Sequence, residues 1–224
     1  MTSPIAVFDL DGTLVHTAPD LVSSLNHALS KHGYMAADYS TLAPFAGTGG
    51  RGMLKQICGL RAIELSESEI LPIIETFLIH YEANLPGSST LYEGALELVK
   101  DLRQAGFKTA ICTNKPQKLA DQLLARLKIA QYFDAICGAD YFAVRKPNPK
   151  HLTGTIELAG GDLAHAIMFG DSQTDFDTAN AAGIPVIGVT FGYSPVAIDT
   201  FNLNKIISHY RELDIGSITE IIGL

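Results

Sequence analysis

A chain of 224 residues with 16 Lys and Arg against 24 Asp and Glu carries a formal charge of −8. With 47% hydrophobic and 18% charged residues it holds enough apolar side chain to offset ordering entropy, which excludes a charge-swollen disordered polymer. The acidic excess also excludes a general nucleic-acid binder, whose affinity rests on Lys and Arg neutralising phosphates.

The predicted elements begin with Ile5–Phe8, an apolar β-branched run that stops at Asp9, Asp11 and Gly12 and reads as a buried strand running into a turn. From Val15 to Leu91 the pattern is helical, with no strand. Pro19 suits a first helical turn, and Leu21, Leu25, Ala28 and Leu29 recur at helical spacing until Gly33. Further helices are expected over Gly52–Cys58 and Glu67–Asn84, and a linker over Pro86–Ser89. Strands at Phe107–Cys112, Ala135–Cys137, Ala166–Phe169 and Pro185–Val189 then alternate with helices over Glu93–Ala105, Gln117–Lys128, Asn148–Ala159 and Thr174–Ala182. Alternation of this kind predicts an α/β fold with a parallel sheet covered on both faces, and the helical block interrupting it predicts a second, smaller domain.

Cys58, Cys112 and Cys137 form no C-x-x-C pair, and the expected state is buried thiols in a reducing compartment. The opening MTSPIAVFDLDGT lacks the basic flank of a signal peptide, and no apolar stretch is long enough for a membrane span, so a cytoplasmic protein is expected.

Chemistry concentrates at four stations. Asp9 and Asp11, in Phe8-Asp9-Leu10-Asp11-Gly12-Thr13, lie just past the first strand, where open α/β sheets place their ligand sites. Asp171 and Asp175, in Gly170-Asp171-Ser172-Gln173-Thr174-Asp175, lie between a strand and a helix. If Asp9, Asp11 and Asp171 converge, their charges require a cation, and a thiol-free oxygen cluster suits a hard ion such as Mg²⁺. Asp175, in the first turn of the following helix, is expected to cap or orient from just behind the cluster. Thr113-Asn114-Lys115 ends the strand Phe107–Cys112, where a hydroxyl and backbone N–H groups can hold phosphoryl oxygens. Lys146, in Arg145-Lys146-Pro147-Asn148-Pro149, reads by default as a surface lysine, but the rigid positioning its prolines give favours pairing with a carboxylate or phosphate. Gly47–Gly52 spells G-x-G-x-x-G, but Pro44 interrupts what precedes it and no strand leads in, so a dinucleotide site is not expected.

These stations, in this order and over nearly the whole chain, resemble the haloacid dehalogenase-like superfamily, and within it most of all the phosphoglycolate phosphatases. The carriers are DxDGT at Asp9–Thr13, Thr113, Lys146 in a K-P-x-P loop, and GDSxxD at Gly170–Asp175, supported by Thr17–Leu21, Thr113–Pro116 and Ala181–Gly183. His16, where relatives often carry Asp, and Tyr92-Glu93-Gly94, where many carry a Pro-Gly turn, depart from the pattern.

The resemblance implies a Rossmann-like parallel-sheet core formed by residues 1–14 and 90–224, with a helical cap domain, residues 15–89, inserted after the first strand. It implies Mg²⁺-dependent hydrolysis of a small phosphomonoester, phosphoglycolate first among them. Asp9 is the implied nucleophile and Asp11 the implied general acid and base. The metal is assigned to Asp9, Asp171 and the Asp11 backbone carbonyl, and the phosphoryl oxygens to Thr113, Asn114 and Lys146. The glycine-rich loop of the cap resembles the family's specificity loop, placing Gly49 and Arg51 against the leaving group. A hexose-phosphate mutase, and a pyrophosphatase or nucleotidase of the same family, are the alternatives; haloacid dehalogenases lack the second aspartate, here Asp11. The expected partner is a small phosphorylated metabolite, with no nucleic acid and no membrane, and monomer and homodimer are both open.

Overall fold

The computed structural model describes residues 3–224. β1 (Ser3–Phe8) is followed by β2 (Val15–His16) and four helices, α1 (Ala18–Lys31), α2 (Tyr39–Leu42), α3 (Gly49–Leu60) and α4 (Glu67–Asn84), before β3 (Thr90–Leu91). The chain continues as α5 (Ala95–Gln104), β4 (Lys108–Cys112), α6 (Gln117–Arg126), β5 (Ala135–Cys137), α7 (Pro149–Leu158), β6 (Gly161–Gly170), α8 (Gln173–Ala182), β7 (Val186–Val189), β8 (Lys205–Ile207) and α9 (Ile215–Ile221).

Six strands form one parallel sheet in the order β5-β4-β1-β6-β7-β8. The inner strands carry continuous apolar runs, Ile5–Phe8, Ala110–Cys112 and Ala166–Phe169, because both faces are covered there. Ala6, Phe8, Ile111, Ile167 and Phe169 face one core, shared with α5, α6 and the helical block. Ile5, Val7, Ala110, Ala166 and Met168 face the other, filled by Leu152 and Ile156 of α7 and Phe176 and Ala179 of α8. Phe8 and Phe169, in register across β1 and β6, stack at 4.4 Å between ring centroids. This α/β architecture is the one expected.

From β1 the chain fills β4 and β5 on one side and then crosses back to β6 on the other side of β1. That reversal opens a crevice at the carboxyl ends of these strands. Asp9, Thr113 and Asp171 are the residues immediately past the ends of β1, β4 and β6.

Three features depart from the expected elements. The block 15–91 is not free of strand: β2 and β3 pair antiparallel, Val15 with Leu91 and His16 with Thr90. A two-residue strand has no periodicity to read, and this pair exists because the chain returns from the helical block to where it left. The glycine-rich stretch is helix rather than loop, since α3 starts at Gly49, three residues before the expected Gly52. A Cβ on Gly50 would lie 2.5 Å from a ring carbon of Phe77, so the bare glycine lets α3 close against α4. Finally, β8 and α9 extend the core past Val189, the last residue of the strands expected from sequence.

The three cysteines are free, Cys112 and Cys137 buried opposite one another on β4 and β5. Among the described residues no helix is long and apolar enough to cross a membrane.

Candidate active site

At the sheet's carboxyl edge, Asp9, Asp171 and Asp175 are all buried, and one carboxylate oxygen from each lies within 4.8 Å of the others. At about 4 Å and an effective dielectric of ~20, each like-charge contact costs about 4 kcal/mol. Lys146 offsets part of that cost. Its buried ammonium donates to Asp9 Oδ1 at 2.7 Å and Asp175 Oδ1 at 2.5 Å. Burial is nonetheless the largest influence on Asp9, pushing its carboxyl up to about 6 against the lowering effect of Lys146. Asp171 is raised well above the ordinary carboxylate range by burial first and then by Asp175 and Asp9.

Backbone and neighbours fix each acid. Asp171 accepts from the Tyr193 backbone N–H at 2.6 Å and the Thr13 hydroxyl at 3.3 Å. Asp175 caps α8: its Oδ2 accepts from the Ser172 N–H at 3.1 Å and the Ser172 hydroxyl at 2.8 Å, while its Oδ1 faces Lys146. The expected capping role is therefore there, but the side chain also stands inside the acidic cluster. Gly12, at φ +88°, makes the close approach possible, because a Cβ there would lie 2.3 Å from Asp171 Oδ2.

Asp11 does not send its carboxylate to this cluster. It turns instead to Lys115, whose ammonium donates to Oδ1 at 3.1 Å and Oδ2 at 3.0 Å. The expected convergence of Asp9, Asp11 and Asp171 carboxylates is thus replaced by Asp9, Asp171 and Asp175. The physical reason is that a second buried cation competes for Asp11.

Thr113 is buried, and its hydroxyl accepts from the Lys115 backbone N–H at 3.2 Å. Asn114 reaches across to the Lys146 loop, donating from Nδ2 to the Lys146 carbonyl at 3.0 Å, while its buried Oδ1 has no partner among the described residues. The Lys146 backbone N–H donates to Nδ1 of His151, which leaves Nε2–H to donate to the Gly138 carbonyl at 3.1 Å. Burial, with Lys146 adding to it, lowers His151 to about 4, so it stays neutral and serves as a strut for the lysine loop.

Arg51, expected against the leaving group, is engaged by an acid of the helical block. Its guanidinium donates to both carboxylate oxygens of Glu67 at 2.9 Å, and both side chains are more than half exposed. Gly49, at φ +69°, begins α3 with no atom within 4 Å of where a Cβ would stand. His16, at the junction with the helical block, meets the Tyr193 hydroxyl at 2.9 Å and the Tyr92 hydroxyl at 3.3 Å. The Tyr193 hydroxyl also accepts from the Ala18 N–H at 2.9 Å, so one loop holds both Asp171 and the start of α1. Lys115, Tyr193 and His151 are the residues that the motifs alone gave no role.

A family model described as haloacid dehalogenase-like hydrolase matches residues 6–189. The chain belongs to this family. A phosphoglycolate phosphatase of Mesorhizobium japonicum is 46% identical over 215 residues, covering 96% of this chain and 95% of that one. Another, from Agrobacterium fabrum, is 47% identical over 211 residues, covering 94% and 91%. A crystal structure described as a predicted phosphoglycolate phosphatase from Haemophilus somnus superposes with a TM-score of 0.87 at 29% identity, covering 98% of this chain and 99% of that one.

For a hydrolase of this family the acidic cluster fits a divalent metal. When all are ionised, three carboxylates against one ammonium leave two negative charges in a buried, oxygen-only donor set. Asp9, Asp171 and Asp175 supply the carboxylates, and Gly12 leaves Asp171 the room to approach.

Proposed function

We propose that the protein hydrolyses a small phosphomonoester, 2-phosphoglycolate before others, through a phosphorylated Asp9. The convergence of buried Asp9 with Asp171, Asp175 and Lys146 at the switch point of the sheet carries this reading, and the names of the two relatives at 46% and 47% identity support the substrate. Asp9 is ionised at neutral pH, since its carboxyl titrates at about 6. Its free oxygen attacks phosphorus and the bond to the leaving alkoxide breaks, dividing one hard step into two. Asp11, once Lys115 releases one of its oxygens and that oxygen takes a proton from solvent, delivers the proton that alkoxide needs and then takes one from the water that cleaves the aspartyl-phosphate.

Lys146, the Thr113 hydroxyl and the Asn114 N–H stabilise the phosphoryl oxygens as charge spreads over them. The Thr113 oxygen already accepts from the Lys115 N–H, which leaves its proton for a phosphoryl oxygen. Mg²⁺ is the metal proposed for Asp9, Asp171, Asp175 and the Asp11 carbonyl; when bound it supplies charge neutralisation and orientation of the phosphate. Residues 15–89 act as a cap that excludes water from a core of residues 1–14 and 90–224. Arg51 reaches a leaving group only if it first releases Glu67. Phosphate release from 2-phosphoglycolate tests the reading, set beside a hexose-phosphate interconversion assay. Asp9→Asn is expected to abolish release and EDTA to stop the wild type; full activity in either case refutes the scheme.

A further inference from the structure

With Arg51 engaged by Glu67 at the surface, another cation stands closer to the proposed chemistry. Lys115 follows β4, and its side chain is only 3% exposed. Its ammonium meets Asp11 Oδ1 at 3.1 Å, Asp11 Oδ2 at 3.0 Å and the Tyr81 hydroxyl at 2.8 Å, and lies 4.5 Å from the centroid of the Tyr81 ring. Asp11 and Lys115 come from the sheet, whereas Tyr81, fully buried, comes from α4 in the helical block. An ammonium buried this deeply costs several kcal/mol unless it is paired. Its three N–H groups diverge, yet two of them are spent on one carboxylate. One can pass to a second anion while the other keeps Asp11 paired.

We infer that Lys115, together with Tyr81, is the specificity-determining pair that recognises a carboxylate on the leaving group. The inference rests on the proposed role of Asp11. To exchange a proton with the leaving oxygen, an Asp11 oxygen must come within ~3 Å of it. The Lys115 ammonium is already 3.0 Å from that carboxylate. A phosphorylated 2-hydroxy acid carries its carboxylate carbon two bonds from the ester oxygen, so the carboxylate oxygens lie about 2.7–3.6 Å from that oxygen by bond geometry. Such a group spans the gap between the ester and Lys115. The Tyr81 hydroxyl accepts from Lys115, so its own proton is free for the same carboxylate. Because Tyr81 rides on α4, recognition also requires the helical block to be seated. An uncharged leaving group would leave the cation shared between Asp11 and Tyr81 alone.

The test compares kcat/KM for 2-phosphoglycolate and for 2-hydroxyethyl phosphate, which replaces the carboxylate with a hydroxymethyl group of similar size. The wild type is expected to favour 2-phosphoglycolate. In Lys115→Met that preference should fall by about 10- to 100-fold, chiefly through KM, as for loss of a charged hydrogen bond. Lys115→Arg should restore part of it. Tyr81→Phe keeps the ring over the ammonium and should reduce the preference by about 3- to 10-fold, so it decides the matter if Lys115→Met fails to fold. An equal loss on both esters in Lys115→Met, or an unchanged ratio in Tyr81→Phe, overturns the inference. A wild type that cleaves both esters alike also overturns it while leaving a phosphatase. A wild type that cleaves neither ester, nor any other phosphomonoester, refutes the proposed function itself.

Discussion

Lys146→Met removes the ammonium that stands between Asp9 and Asp175. At an effective dielectric of ~20, contacts of 2.7 Å and 2.5 Å correspond to about 6 and 7 kcal/mol of gross attraction. Desolvation of the lysine opposes this by several kcal/mol, and breaking a buried pair typically costs a net 3–5 kcal/mol, roughly the loss expected here at pH 7.5 without metal. The cost should depend on pH in a fixed direction. Asp9 has its carboxyl raised from 3.8 to about 6, so the metal-free wild type loses the stabilisation of protonated Asp9 as pH rises from about 4 through 6. Above that window Asp9 is ionised and Lys146 holds it. As pH falls through about 6 Asp9 takes up a proton, so the ammonium loses a partner and the variant loses a repulsion. The difference between the two proteins should therefore shrink at pH 5. Denaturant unfolding of both proteins in EDTA at pH 5 and 7.5 measures it, and divalent metal at pH 7.5 should recover part of the loss. A cost below about 1 kcal/mol at pH 7.5, or one that fails to shrink at pH 5, would refute the electrostatic account of this cluster.

Two further outcomes follow from the same geometry. Gly12→Ala and Gly33→Ala both place a side chain at positive φ, +88° and +80°, but only the first drives its Cβ to 2.3 Å from Asp171 Oδ2. Gly33→Ala should cost about 1 kcal/mol in thermal or denaturant unfolding, and Gly12→Ala about 2–4 kcal/mol together with loss of metal binding; equal costs would mean that the approach to Asp171 is not tight. Divalent metal binding, followed by calorimetry, should be insensitive to pH above about 7 as far as Asp9 is concerned. It should weaken at least about tenfold per pH unit below about 6, because the metal then has to displace the Asp9 proton and any held by Asp171, whose carboxyl burial also raises.

Much of the core was legible because its signals are local. Ile5–Phe8 and Ala166–Phe169 are apolar at every position, a pattern that suits a strand covered on both faces, and the acidic or glycine residues that end each run favour strand over buried helix. Those endings also located Asp9 and Asp171, since a parallel sheet gathers its strand ends at one edge. The helix over Glu67–Asn84 matches its observed limits because Ser66 and Glu69 form a capping box at its start. By contrast β2 and β3 carried no readable pattern, for two residues cannot show a period.

The amino-acid sequence by itself determined the α/β sheet, the interruption by a helical block and the family, because periodicity, punctuating glycines and strand-end motifs act within a few residues. Tertiary structure alone decided which way the charged side chains turn. Asp175 joins Asp9 through Lys146, 137 residues from Asp9 in the chain, and Asp11 is taken by Lys115, 104 residues away. Arg51, the cation that looked functional from its loop, is neutralised by Glu67 in water, while Lys115 is sealed beneath Tyr81. A charge settles where burial is compensated by an opposite charge, and the partner that compensates it comes from another part of the fold.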